Sequence, residues 1–320
     1  HYVELMQHSS ENLLTVLNDI LDFSKMEAGQ LKLDTVPMDL RSLVEESVTA
    51  FAGVAHQQNL ELILDVQLHN LRQVEGDAVR IRQILLNLIN NALKFTAQGH
   101  VLVRAREEDD ARVYFEVEDT GDGIEPGKLA HVFQAFAQEN QGDNRSHDGT
   151  GLGLTVCKRL TDLMGGDITV NSTPGQGSCF RFSLPLEAAG DSQPESGTPL
   201  QEQKVLVLCK RESTSNALRG MLEFMGAEVV TGGDLSHLAM GGYYNWILVD
   251  DALPGSRGDR RSGNRLTQWQ DRLIMLTSID QPEGDSDAMH KPVTATALRD
   301  NLQPGEAPQS SESSAEHNRF

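Results

Sequence analysis

Asn87, Asn91 and Lys94 fall on one flank of a helical wheel drawn through residues 77–96, opposite a stripe of Ile81, Ile84, Leu85, Leu88 and Ala92. Two carboxamides and an ammonium at that spacing can hold a metal-bound polyphosphate. Amide oxygens are hard donors that suit Mg2+, and being neutral they do not repel a triphosphate as carboxylates would. Lys94 adds a point cation for phosphate. Further along, Asp119 ends an alternating strand in which Val113, Phe115 and Val117 face inward, and it opens the turn Asp119-Thr120-Gly121-Asp122-Gly123. A carboxylate there can accept a hydrogen bond from an exocyclic amine such as that of adenine. Gly121 and Gly123 permit positive φ and close approach of a ligand to the backbone. A third segment, Gly149-Thr150-Gly151-Leu152-Gly153, precedes a helix, so its N–H groups can cradle phosphate. Alone, each has a plainer reading: an amphipathic surface helix, a strand-to-loop turn, a flexible glycine loop. Together in one short span they favour a site for ATP and Mg2+, and phosphoryl transfer as the chemistry.

Positioning these groups requires a sheet backed by helices. Short apolar runs predict strands at 60–66, 100–106, 112–118, 167–171 and 178–184. Helical periods predict helices at 40–57, 77–96 and 151–164. This is an α+β layer pattern, a sheet with helices on one face. Before it, residues 3–27 predict a helix with a near-heptad stripe of Met6, Ser10, Leu13, Leu17, Ile20 and Ser24, stopped at Gly29. One such stripe cannot bury itself and needs a partner helix. After it, residues 187–203 read as a polar linker, and a second α/β unit comes next with strands at 204–208, 227–231, 246–250 and 272–276. The tail from residue 303 lacks apolar content and is expected to be disordered.

Composition narrows the function. The chain has 320 residues, 47 acidic against 27 basic, for a net charge of −20. Nucleic-acid binding needs a basic surface to displace counterions, so it is not expected here. No apolar run is long enough to cross a bilayer. Cys157, Cys179 and Cys209 are scattered without metal-ligand spacing, as suits a reducing cytoplasm.

The same segments carry a family resemblance. ENLLTVLNDILDFSKMEAGQLKLD resembles the second helix of a dimerisation and phosphotransfer domain running into its linker. GDAVRIRQILLNLINNALKFT, VEDTGDGI, VFQAFAQ and DGTGLGL resemble the N, G1, F and G2 boxes of sensor histidine kinases. Residues 1–186 are thus similar to hybrid sensor histidine kinases of the BarA, GacS and RetS kind. The implied fold is the ATP-binding sandwich shared with gyrase, Hsp90 and MutL (GHKL, or Bergerat-type). The resemblance implies residues 1–30 as a partial dimerisation domain and 31–186 as the catalytic domain. It makes Asn91 the Mg2+ ligand, with Asn87 supporting metal and phosphates. Lys94 would contact phosphate, and Asp119 the adenine amine. Gly121, Gly123, Gly149, Thr150, Gly151, Leu152 and Gly153 would shape pocket and lid. Phe133 and Phe136 would pack at the lid base, and Arg145 would reach the phosphates. Ser146, His147 and Asp148 depart from the usual lysine, aromatic and glycine after that arginine, and Asp148 sets a negative charge near the triphosphate.

Residues 204–302 resemble a response-regulator receiver, with a flavodoxin-like fold implied. The segments are KVLVLCKRE, YNWILVDDALPG, LIMLTS and MHKPV. By resemblance Asp250 is the phosphoacceptor, Thr277 the phosphate-contacting hydroxyl and Lys291 the phosphate-pairing lysine. Receivers place two acids after the first strand for Mg2+. This chain has Cys209 and Lys210 there, with Arg211 next. The stretch between Thr277 and Lys291 is short and lacks a helical period, so the fourth helix is expected to be vestigial. The unit reads as a degenerate receiver, suited to docking more than to phosphoacceptance.

No S-H-E-x-R-T-P-like phosphoacceptor motif occurs, and His8 lies too close to the second-helix signature to serve. The expectation is a fragment whose acceptor histidine stands on an upstream helix. Two functions stay open: the catalytic part of a phosphorelay kinase, or a regulatory pseudokinase pairing with another kinase. Expected partners are a second copy or another sensor kinase through the N-terminal helix, and a response regulator or histidine phosphotransfer protein. A cytoplasmic location is expected, in a protein anchored at the bacterial inner membrane only by upstream segments.

Overall fold

The computed structural model describes residues 17, 20–22, 24–68, 72–108, 112–135, 151–189, 199–240, 242–256, 266, 269, 272–278 and 288–302. The described residues between 17 and 27 are helical (α1), and Gly29 ends that helix at φ +65°. Ion pairs from Arg80 to Asp22 (2.7 Å) and from Arg159 to Glu27 (2.8 Å) tie α1 to the two helices that carry those arginines. Leu17, Ile20 and Leu21 remain about half exposed, an apolar face with no cover among the described residues.

The N-terminal unit is built on a five-stranded sheet. Its strands are β2 (Glu61–Gln67), β4 (His100–Glu108), β5 (Arg112–Asp119), β6 (Asp167–Thr173) and β7 (Gly177–Pro185), in the order β2-β4-β5-β7-β6. β2 and β4 are parallel and the remaining pairs antiparallel. One face packs on α2 (Leu40–Thr49), α4 (Ala78–Phe95) and α6 (Gly153–Leu163), with Phe115 stacked on Phe182 at 4.5 Å in the middle. α4 buries the expected stripe of Ile81, Ile84, Leu85, Leu88 and Ala92. Asp77 caps it by accepting from the Arg80 N–H, while its other oxygen takes the Asp34 N–H. A single helical turn, α5 (Pro126–Leu129), opens on Pro126 after the Asp119 turn.

Three features differ from the sequence reading. The helix expected over 40–57 divides into α2 and α3 (Ala52–Gln57), because Phe51 leaves helical angles (φ −97°, ψ 0°) and packs on the core. A second sheet was not expected: β1 (Val36–Asp39), β3 (Gln73–Gly76) and β8 (Glu187–Ala188), ordered β1-β3-β8, are too short to show a period. The stretch read as a linker is therefore structured at both ends, since β8 pairs with β3 and Leu200 is fully buried in the next unit. The tail from residue 303 lies outside the described residues. So do residues 279–287, on which the expected loss of a helix rests.

The C-terminal unit is a five-stranded parallel sheet. It comprises β9 (Lys204–Leu208), β10 (Glu228–Gly232), β11 (Trp246–Asp250), β12 (Leu273–Thr277) and β13 (Ala288–His290), in the order β10-β9-β11-β12-β13. Numbered within the unit the order is 2-1-3-4-5, the flavodoxin-like winding. α7 (Glu212–Phe224) and α8 (Ala295–Asn301) come after β9 and β13. The units touch: Ala217 of α7 packs with Ile63 of β2 and Leu102 of β4, on the sheet face away from α4. That contact explains why β2 is buried on both faces at 62–66, where a one-sided sheet would alternate.

Candidate nucleotide site

α4 presents Asn87, Asn91 and Lys94 together on a partly exposed flank. Two glycine turns converge on that flank. A Cβ built on Gly153, the first residue of α6, would lie 3.3 Å from the Asn87 carboxamide oxygen, so the bare backbone of that turn faces Asn87. Gly151 precedes it at φ +68°, and Leu152 is buried beneath. At the other end of α4, the Asp122 N–H donates to the Phe95 carbonyl at 3.3 Å. Gly121 sits so close that a Cβ there would meet the same carbonyl at 2.1 Å.

The Asp119 turn is braced from its far side as well. Gly123, at φ +69°, leaves room for the Thr173 carbonyl, and Gly177, at φ +108°, for the Asp119 carbonyl. The Gly175 N–H donates to the Asp122 carbonyl, and the Ile124 N–H to Ser172 Oγ. Asp119 is buried, with Oδ1 accepting from the Gly121 N–H at 2.8 Å. Burial pushes its carboxyl above the ordinary value, the N–H groups of Gly121 and Ser178 pull it down, and Glu118 and Asp122 push it up again. Sequence reasoning missed Gly177, Ser172 and Ser178. Their signal was the Pro174-Gly175-Gln176-Gly177 turn between two strands.

Phe133 meets Phe180 edge-on at 6.3 Å. Lys94 Nζ stands 5.2 Å over the Phe95 ring. Phe136, Arg145, Gly149 and Thr150 lie outside the described residues. The groups present fit a magnesium–nucleotide: amide oxygens for a hard cation, a backbone cradle at Gly153 open for lack of a side chain, and a buried carboxylate for an amine.

Residues 76–188 match the family described as histidine kinase-, DNA gyrase B-, and HSP90-like ATPase. The sensor protein GacS of Pseudomonas syringae is 41% identical over 275 residues, 83% of this chain and 30% of GacS. BarA of Escherichia coli, a signal transduction histidine-protein kinase, is 42% identical over 58% of the chain and 21% of its own length. Full-length ShkA, solved in complex with AMPPNP, superposes with a TM-score of 0.78 at 30% identity, covering 94% of this chain and 64% of ShkA. The chain is similar over most of its length to hybrid sensor histidine kinases of the GacS and BarA kind. It spans under a third of the length of GacS and BarA. Among the described residues no helix is long and apolar enough to cross a membrane.

The receiver-like unit gathers its own expected residues. Asp250 ends β11 fully buried, Lys291 Nζ reaches its Oδ1 at 2.5 Å and Asp251 at 3.6 Å, and the Lys291 N–H donates to the Thr277 carbonyl. Burial works against the Lys291 charge, but the bond to Asp250 and the charges of Asp250, Glu61 and Asp251 outweigh it and raise its pKa. The Thr277 hydroxyl pairs with His290 Nδ1 at 3.3 Å, a partner the sequence did not suggest. Cys209 is buried at the place of a metal-binding acid, its thiol pushed up to about 12 by burial and then by Asp250. Lys210 beside it is exposed.

Proposed function

We propose that this chain is the ATP-binding catalytic portion of a phosphorelay histidine kinase. It would bind Mg-ATP for transfer of the γ-phosphoryl group to a histidine on a dimerisation helix. The observation that carries this reading is the glycine backbone at the start of α6 set against the Asn87 carboxamide, with the Asp119 turn bonded to the far end of the same helix. Asn91 and Asn87 would hold Mg2+, Lys94 and the turn at 149–153 the phosphates, and Asp119 the adenine amine. Mg2+ would supply charge neutralisation at the phosphates. The residues' own part is positioning, which carries most of the catalysis in phosphoryl transfer. Titration calorimetry with ATP tests it: binding that requires Mg2+ is expected, and no binding at millimolar ATP would refute it.

Asp119→Asn separates binding from folding. Asp119 offers two carboxylate oxygens to the Gly121 N–H, the Ser178 N–H and the ligand amine; Asn offers one carbonyl oxygen to the same three donors. ATP affinity should fall about tenfold, ~1.4 kcal/mol. Without nucleotide the Asn carbonyl oxygen, with two lone pairs, has only the two backbone N–H groups to serve, so stability should not fall. A carboxyl whose folded pKa is raised costs stability once ionised, so its penalty is present above the folded pKa and disappears as pH falls through it. At neutral pH the Asn variant escapes that cost. A melting temperature lowered along with affinity would refute a binding role for Asp119.

The exposed stripe of Leu17, Ile20 and Leu21 supports pairing through α1, with a second copy or another sensor kinase. A response regulator or histidine phosphotransfer protein is the proposed downstream partner. The proposed location is the cytoplasmic face of the bacterial inner membrane. The altered receiver supports the second reading, a regulatory pseudokinase. With Cys209 and Lys210 in place of acids, acetyl phosphate and Mg2+ should leave Asp250 unmodified. Intact-mass analysis checks this, and a stable adduct of one phosphoryl group at Asp250 would restore the receiver as an acceptor.

A further inference from the structure

Glu61, the first residue of β2, gives both its carboxylate oxygens to the receiver-like unit. Oε2 pairs with Arg211 Nε at 2.6 Å, and Oε1 accepts from the Thr214 hydroxyl at 2.5 Å. The Glu61 side chain is only 14% exposed, so its charge is held away from water by its partners. Lys291 and Thr214 line one cleft with Glu61, behind which Lys291 bridges Asp250 and Asp251. A carboxylate from the other unit thus stands near the lysine that pairs with Asp250, and its charge helps to raise the Lys291 pKa.

We propose that the receiver-like unit carries a carboxylate-binding site, and that its occupant is Glu61 of the same chain. Arg211, Thr214 and Lys291 form the cationic and hydroxyl rim. The change from metal-binding acids to Cys209-Lys210-Arg211 acquires a chemical reason: a paired acid at 209–210 would repel the incoming carboxylate, and the arginine at 211 pairs with one of its oxygens through Nε. The apolar contact of Ala217 with Ile63 and Leu102, and the Thr296 N–H donated to Glu45 at 3.1 Å, extend the same interface on either side. The site fixes the unit on the outer face of the sheet without phosphate or metal.

Hydrogen exchange of the full chain without nucleotide tests this, and its outcome is independent of ATP binding. Glu61→Lys and Arg211→Ala should each speed exchange in both β2 and α7 by about tenfold, the rate equivalent of losing one charge-assisted pair. The swap Glu61→Arg with Arg211→Glu should recover most of the protection. Unchanged exchange in either single variant overturns the proposal. So does a swap that fails to recover protection while other segments exchange as in the unaltered chain. Should Glu61→Lys unfold the chain throughout, Glu61→Gln and Arg211→Ala decide by the same criterion.

Discussion

Asn91→Ala should lower Mg2+-dependent ATP affinity by about thirtyfold or more, ~2 kcal/mol, while leaving the fold in place. The two halves of that expectation come from opposite faces of α4. The helix is held by Ile81, Ile84, Leu85, Leu88, Ile89, Ala92 and Leu93, all buried, and by the Asp77 cap. Asn91 lies on the partly exposed flank and no part of the core depends on it. Alanine is also the better helix former by a few tenths of a kcal/mol, so the melting temperature should hold or rise slightly. What is lost is a neutral oxygen donor beside the triphosphate. Asn91→Asp tests the charge argument: it keeps an oxygen for the metal but adds a negative charge beside the phosphates. It should weaken ATP more than ADP, since ATP brings the larger charge. Calorimetry with both nucleotides, with and without Mg2+, reads all three effects. Wild-type affinity in Asn91→Ala would remove α4 from the site.

What the sequence exposed, it exposed through period and chemistry. The stripe on α4 and the polar flank opposite it come from one helical repeat, and both stand in the structure. Four of the receiver-like strands were legible in short apolar runs; their flavodoxin-like arrangement was implied only by the resemblance of their motifs, and the parallel sheet agrees with it. What escaped notice was whatever depends on partners distant in the chain. The run Leu62 to Val66 reads as a buried strand, but nothing in it names α7 as the cover of its second face. Glu61 looks like a solvated strand end, yet both its oxygens are taken by residues 150 positions away or more. β8 has two residues and no period to read. The brace around Asp119 was hidden for a different reason. Its parts are the Ser172 hydroxyl and backbone groups of residues 173–178, and the sequence shows only that glycine is present, not which carbonyl it admits.

That brace yields the second large effect. Gly177→Ala should destabilise the N-terminal unit by about 3 kcal/mol, while Gly175→Ala, two residues away in the same turn, should cost about 1 kcal/mol. Both glycines have positive φ, +108° at Gly177 and +76° at Gly175, so both substitutions incur backbone strain. They differ in what surrounds them. A Cβ at Gly175 meets nothing within 4 Å, whereas one at Gly177 would lie 1.9 Å from the Asp119 carbonyl oxygen and 2.9 Å from the Thr120 Cα. Those neighbours are backbone and cannot rotate aside, so the β5 end and the β6–β7 turn must separate. A loss near 3 kcal/mol corresponds to a drop of about 10 °C in the unfolding transition of a unit this size. Separation also moves Ser178, whose N–H bonds Asp119, so ATP affinity should fall with stability in Gly177→Ala and stay unchanged in Gly175→Ala. Thermal unfolding monitored with and without Mg-ATP reads both quantities. Equal losses in the two variants would mean that φ alone sets the cost, and that the contact between Gly177 and the Asp119 carbonyl does not hold the adenine end of the site in place.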